Sequence, residues 1–175
     1  IIGLDTIKII EVCRDASEYG IVQVANFNSP GQIVISGSVE GVQRAMVLAK
    51  ERGAKMAKEL VVHGAFHSPL MESAREDFEV ALDYTEFKKV QIPVYTNVHA
   101  TPITKDTELE FIKRTLYDQL TSSVRWEESI MNMINDGARE FIELGPGKVL
   151  QGLIKRIDNT VVIKGVDKAE DINKL

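Results

Sequence analysis

The stretch IVQVANFNSPGQIVISG, Ile21 to Gly37, decides the fold. From Ile21 to Phe27 apolar and polar residues alternate, the period of a half-buried strand. NSPG, Asn28 to Gly31, is turn chemistry. QIVISG then reads as a second strand that closes a hairpin. Asn26 and Asn28 stand two apart, so on a strand they share a face. They either hydrogen-bond a polar ligand or order the hairpin turn.

Working outward, Ile1 to Leu4 reads as a short apolar strand. Asp5 or Thr6 can cap a helix through about Tyr19, with Ile9, Ile10, Val12 and Cys13 on its apolar face and Gly20 as its stop. After the hairpin, Ser38 caps a second helix that Gly53 ends. AKMAKELVV, Ala54 to Val62, returns as a strand. The order β-α-β-β-α-β predicts a self-contained ferredoxin-like small lobe over residues 1–62.

Residues 63–175 read differently. Ser68-Pro69 starts a helix that runs to about Thr85. VQIPVYTNV is a strand that Pro93 makes irregular or places at an edge. Helices follow in ELEFIKRTLYDQLTSSV, which ends in a polar turn, and in RWEESIMNMINDGA. REFIELG is a buried strand, GPGKVLQGLIKRID a turn into a helix, and TVVIKGVD a last strand. Alternating helices and strands predict an α/β lobe with a mostly parallel sheet covered on both faces.

With 27% charged residues and a net charge of -5, the chain has no basic surplus to pair with nucleic acid. No apolar run is long enough to span a membrane. One cysteine, Cys13, allows no internal disulfide and suits a reducing cytoplasm; its mid-helix place predicts a buried, inert thiol. The start IIGLD, without Met or a signal-peptide pattern, is expected of a chain that begins inside a larger protein.

HGAFHSPLM, His63 to Met71, holds two of the three histidines. His67 directly precedes a helix start, where the positive end of a helix favours the neutral ring that a general base needs. The competing reading is a boundary histidine that satisfies local hydrogen bonds. His63 ends a strand and His99 sits in a loop, and the spacing fits no metal site. No G-x-S-x-G nucleophile motif occurs in these residues. SGSVEG, with Ser36 and Ser38, reads as a strand end and a helix cap. If His67 is a base, its nucleophile therefore lies on another segment. ELGPGKVL, Glu143 to Leu150, is not a phosphate-binding Walker loop. It is either a seat for an anion on backbone N–H groups or a tight strand-to-helix corner.

VANFNSPGQIVISG, RGAKMAKELVVHGAFHSPLM, IPVYTNVHATPI, QLTSSVRWEESI and FIELGPGKVLQGLIKRI, in that order, resemble successive segments of the malonyl-CoA:acyl-carrier-protein transacylases, over about residues 1–158. The resemblance implies an α/β-hydrolase-like large lobe, of which residues 63–175 are the C-terminal part, with the ferredoxin-like lobe inserted in it. It implies ping-pong transfer of malonyl from coenzyme A to the phosphopantetheine thiol of acyl carrier protein in fatty acid biosynthesis. His67 maps onto the base, and Gln119 onto the main-chain carbonyl that orients it. Phe66 resembles the malonyl-selecting form of its block, where a large ring crowds a branched α-carbon. Asn28 maps onto a contact to the acyl or pantetheine arm. Lys155 and Arg156 are candidates for docking the acidic carrier protein, or else a solvated helix face.

The resemblance implies no cofactor and no metal, no nucleic acid or membrane partner, and a monomeric full-length protein. The serine of G-H-S-x-G, the oxyanion loop and the arginine that pairs with the malonyl carboxylate are not among these residues. The 175 residues alone are therefore expected to be inactive, and poorly soluble in their second half. A rival reading is a non-catalytic module that binds carrier protein or coenzyme A. A second rival, a regulatory ferredoxin-like domain, leaves GAFHSP and ELGPGK unexplained.

Overall fold

The computed structural model describes residues 1–174. Helix α1, Thr6–Ala16, is capped by Asp5, whose carboxylate accepts the Lys8 N–H, and runs into a 3-10 turn, Ser17–Tyr19, before Gly20. Strands β1, Val22–Ser29, and β2, Gln32–Gly37, form the antiparallel hairpin about Pro30-Gly31. Gly31 sits at φ 70, which glycine adopts without the steric cost of a Cβ. Helix α2, Val39–Glu51, starts at a Ser38 cap.

Ile2 bridges Gln32 on one side and Met56 on the other, both antiparallel. Across the sheet the order is Met56, Ile2, β2, β1, the arrangement expected of the βαββαβ pattern. The two expected flanking strands are reduced to single bridges. Gly3, at φ 85, turns the chain away directly after Ile2. Among the described residues the chain forms no further ladder between Met56 and the 3-10 segment that begins at Pro69, and Val61 is 96% exposed. The core of this half joins Leu4, Ile9, Val12, Cys13 and Ala16 to Val22, Val24, Ile33, Ala45 and Ala49. At about 25 cal/mol per Å² of apolar surface, this burial is what holds α1 and α2 on the hairpin.

The second half departs further from expectation. The helix expected from Ser68 begins as a 3-10 segment, Pro69–Ala74, and becomes α-helical only in α3, Arg75–Asp83. Val94–Tyr95 (β3) pairs antiparallel with Pro102–Ile103 (β4). Pro93 and Pro102 each lack an N–H, which restricts this ladder to two residues per strand. Helices α4, Leu109–Asp118, and α5, Trp126–Asn135, follow. Strand β5, Glu140–Leu144, pairs in parallel with β6, Val162–Val166, with α6, Val149–Ile157, between them.

Among the described residues this βαβ unit holds the whole of the parallel sheet, β5 beside β6. Ile142, Leu144 and Val162 consequently stay 44, 75 and 52% exposed. A second core of Ile130, Ile154 and Val161, with Trp126, Met133 and Phe141 against it, packs α5 and α6 on this unit. Among the described residues no helix is long and apolar enough to cross a membrane.

The halves are stitched along the free edge of β1. A register shift between Val24 and Asn26 leaves Ala25 outside the ladder with β2. Its carbonyl accepts the Val124 N–H (2.7 Å), and the Phe27 N–H donates to Val124 O (2.9 Å). A β-bulge of this kind redirects backbone groups without ending the strand.

Candidate active site

His67 lies at the mouth of the 3-10 segment with φ 57. A non-glycine residue in this left-handed region costs about 1 kcal/mol or more, so neighbouring bonds must hold it there. Ser68, fully buried, donates its hydroxyl to Ala65 O (2.6 Å) and accepts the Leu70 N–H (3.3 Å). Gln23 donates its amide to His67 O (2.7 Å). The ring Nδ1 is 3.0 Å from the main-chain oxygen of Gln119 and 3.1 Å from that of Ser122.

Carbonyl oxygens only accept hydrogen bonds. Nδ1 therefore carries a hydrogen, shared between two acceptors in a three-centre bond. In the neutral ring this tautomer leaves the lone pair on Nε2. The hydrogen bonds thus set the tautomer. The α-helical dipole expected to act on His67 is displaced, because α-helical geometry begins only at Arg75.

The turn after α4 supplies both acceptors. Asp118 O accepts the N–H groups of Thr121 (3.3 Å) and Ser122 (3.0 Å), curling the segment back on itself. Arg75 pairs with the Asp118 carboxylate at 2.9 Å, and its guanidinium lies 3.8 Å over the Tyr117 ring. On the other side Ser123 Oγ donates to Val24 O (2.5 Å). Gln23 donates to Thr121 O at 2.9 Å. The imidazole and its acceptors are therefore both referenced to β1.

A cleft of about 680 Å³ opens beside this arrangement, lined among others by Asn26, Asn28, Phe66 and His67. Three residues singled out in the sequence, Asn28, Phe66 and His67, thus meet at one cleft. Gln119 touches the site through the His67 ring alone. Lys155 and Arg156 lie apart from the cleft, exposed in the last turn of α6. His63 is exposed outside a strand. His99 stacks on Phe111 with ring centroids 5.2 Å apart. Among the described residues no group of three or more His, Cys, Asp or Glu could hold a metal ion.

The glycine corner at 145–148 is a structural one. The Glu143 carboxylate accepts the N–H groups of Leu150 (3.0 Å) and Gln151 (3.2 Å), and Asp167 accepts the Gly147 N–H (2.7 Å). The chain's own carboxylates occupy the seat that an anion would take.

Sequence reasoning missed Gln23, Thr121 and Ser122. A polar residue between Val22 and Val24 reads as the solvent face of a strand, and TSS as an ordinary polar turn. Gln23 acts through a side-chain amide that a strand pattern assigns to solvent, and Thr121 and Ser122 through main-chain carbonyls, which side-chain identity does not encode.

The family model described as Acyl transferase domain matches residues 9–173. The chain is 45% identical over 173 residues to the malonyl CoA-acyl carrier protein transacylase of Bacillus subtilis, covering 98% of this chain and 54% of that protein. It is 45% identical over 157 residues to the protein of the same name from Haemophilus influenzae, covering 90% of this chain and 49% of that one. The crystal structure of an acyl carrier protein S-malonyltransferase from Vibrio cholerae superposes with a TM-score of 0.93 at 42% identity, over 99% of this chain and 56% of that one. A type II polyketide synthase acyl-carrier protein in complex with its malonyl-transacylase gives 0.92 at 40% identity, over 100% of this chain and 56% of that one. The chain spans about half the length of the curated relatives it matches.

Proposed function

The chain belongs to the acyl transferase domain family, and on that premise we propose that it forms the histidine-bearing part of a malonyl-CoA:acyl-carrier-protein transacylase of fatty acid biosynthesis. The observation that carries the reading is the His67 ring, its Nδ1–H shared between the Gln119 and Ser122 carbonyls while the residue lines an open cleft. Such a ring offers a basic Nε2 to a hydroxyl or thiol brought to the cleft.

The reaction runs in two half-steps. A serine hydroxyl, on a segment outside these residues, attacks the malonyl thioester carbonyl and passes its proton to Nε2 of His67. The carbon–sulfur bond breaks, and the imidazolium returns the proton to the departing thiolate of coenzyme A. The serine then carries a malonyl ester. In the second half the phosphopantetheine thiol of acyl carrier protein gives its proton to the same Nε2 and attacks the ester. The carbon–oxygen bond breaks, the serine oxygen takes the proton back, and malonyl leaves on the carrier. Two neutral carbonyls stabilise the transient imidazolium less than a carboxylate would, but they fix its orientation equally well.

Within this reading the chain divides near residue 62 into a small lobe and the C-terminal part of a larger one. Phe66 and Asn28 contact the acyl and pantetheine portions. Lys155 and Arg156 meet the acidic carrier, an interaction that weakens with salt. The test incubates the protein that contains this chain with malonyl-CoA and phosphopantetheinylated acyl carrier protein, followed by intact mass. Appearance of malonyl-carrier protein supports the reading. Carrier binding without transfer refutes it and favours a binding module.

A further inference from the structure

One side-chain amide joins the two halves of the His67 arrangement. Gln23 Nε2 donates at 2.7 Å to the carbonyl of His67 and at 2.9 Å to that of Thr121. A primary amide has two hydrogens, and both are used. The two acceptors lie 44 and 98 residues away in sequence. One is the backbone that carries the imidazole. The other lies between Gln119 and Ser122, the residues whose carbonyls receive Nδ1–H.

The donor stands on β1 between buried Val22 and Val24, a strand fixed by its ladder with β2 and by the core beneath it. Gln23 thus measures off the imidazole and its acceptors from one rigid element. The need for such a strut is visible in the backbone, since His67 sits at φ 57, a conformation that a free chain would leave. Water can satisfy the same two carbonyls, but it cannot fix the distance between them.

We propose that Gln23 is a positioning residue for the His67 base, its amide holding the imidazole-bearing backbone against the turn whose carbonyls fix the Nδ1–H tautomer. The kinetic consequence rests on the acyl-transfer reading, whereas the tautomer consequence does not. A base acts through the direction and the free lone pair of Nε2, and small misplacement of a reacting group costs up to about a hundredfold in rate.

The test uses Gln23→Met, which keeps the length of the side chain and removes both donors, and Gln23→Glu, which sets a carboxylate against two carbonyl oxygens. Both are made in the full protein that carries this chain. Nitrogen-15 NMR of the histidine rings is expected to show His67 as a single Nδ1–H tautomer in the unaltered protein and as an average of tautomers in Gln23→Met. Turnover in Gln23→Met is expected to fall about ten- to a hundredfold, with KM for malonyl-CoA within about twofold. Gln23→Glu is expected to fall further, which a space-filling role would not produce. A single tautomer together with near-normal turnover in Gln23→Met overturns the proposal. An unaltered protein that transfers no acyl group would defeat the acyl-transfer reading instead, and the ring spectra would still decide the role of Gln23.

Discussion

The Nδ1 of His67 lies 3.0 Å from the main-chain oxygen of Gln119, a residue 52 positions further along the chain. The acceptor belongs to the backbone, so the side chain of Gln119 is not what orients the ring. Gln119→Ala is therefore expected to keep acyl transfer within about twofold, because the helix end and the Asp118 turn remain. Steady-state kinetics of that variant check it. A loss of a hundredfold or more would assign the orienting role to the side-chain amide.

Cys13 is 6% exposed on the inner face of α1, and burial pushes its thiol pKa up to about 12. At pH 8 the thiolate is almost absent, and reagent access is blocked as well. A disulfide reagent such as dithionitrobenzoate is expected to leave Cys13 unmodified in the folded protein over many minutes and to titrate it at once in guanidinium. Peptide mapping after trapping identifies the site. Rapid modification of Cys13 before unfolding would contradict the packing of α1 against the hairpin.

Burial raises the pKa of Glu143, but the N–H groups of Leu150 and Gln151 outweigh it and hold the carboxyl below its ordinary value of 4.5. A depressed folded value means that the charged form stabilises the native state above the unfolded pKa. That contribution fades as pH falls through the folded one. Glu143→Gln is expected to destabilise the protein by about 0.3–1 kcal/mol at pH 7, the range for a charge at a helix start. The difference in melting temperature between the two proteins should shrink steadily below about pH 4.5. A difference that does not depend on pH would remove the carboxylate from the α6 start.

Much of this was legible in the sequence because the signals were local. Asp5 and Ser38 announced α1 and α2, and NSPG announced the hairpin, since caps and turns depend on a few adjacent residues. The α/β class followed from their alternation. The flanking strands expected at Ile1–Leu4 and Ala54–Val62 shrink to single bridges at Ile2 and Met56, because an apolar run does not reveal how many of its backbone groups find a partner.

At the site, His67, Phe66 and Asn28 were visible as residue types in quoted motifs. The helix at Ser68 was expected to be α-helical from its first turn, and the 3-10 geometry there changes what acts on the ring. Gln23 and Ser122 stayed hidden, one acting through an amide that reads as strand surface and the other through a carbonyl common to every residue.

The central claim is that His67 is the base for both half-reactions. It is tested most directly by rapid-quench measurement of coenzyme A release and malonyl-ester formation in the full protein carrying His67→Ala. The account predicts that both fall together by about 10²–10⁴-fold, the usual contribution of a general base, with circular dichroism and melting temperature close to those of the unaltered protein. Ester formation at a near-normal rate in His67→Ala would contradict it.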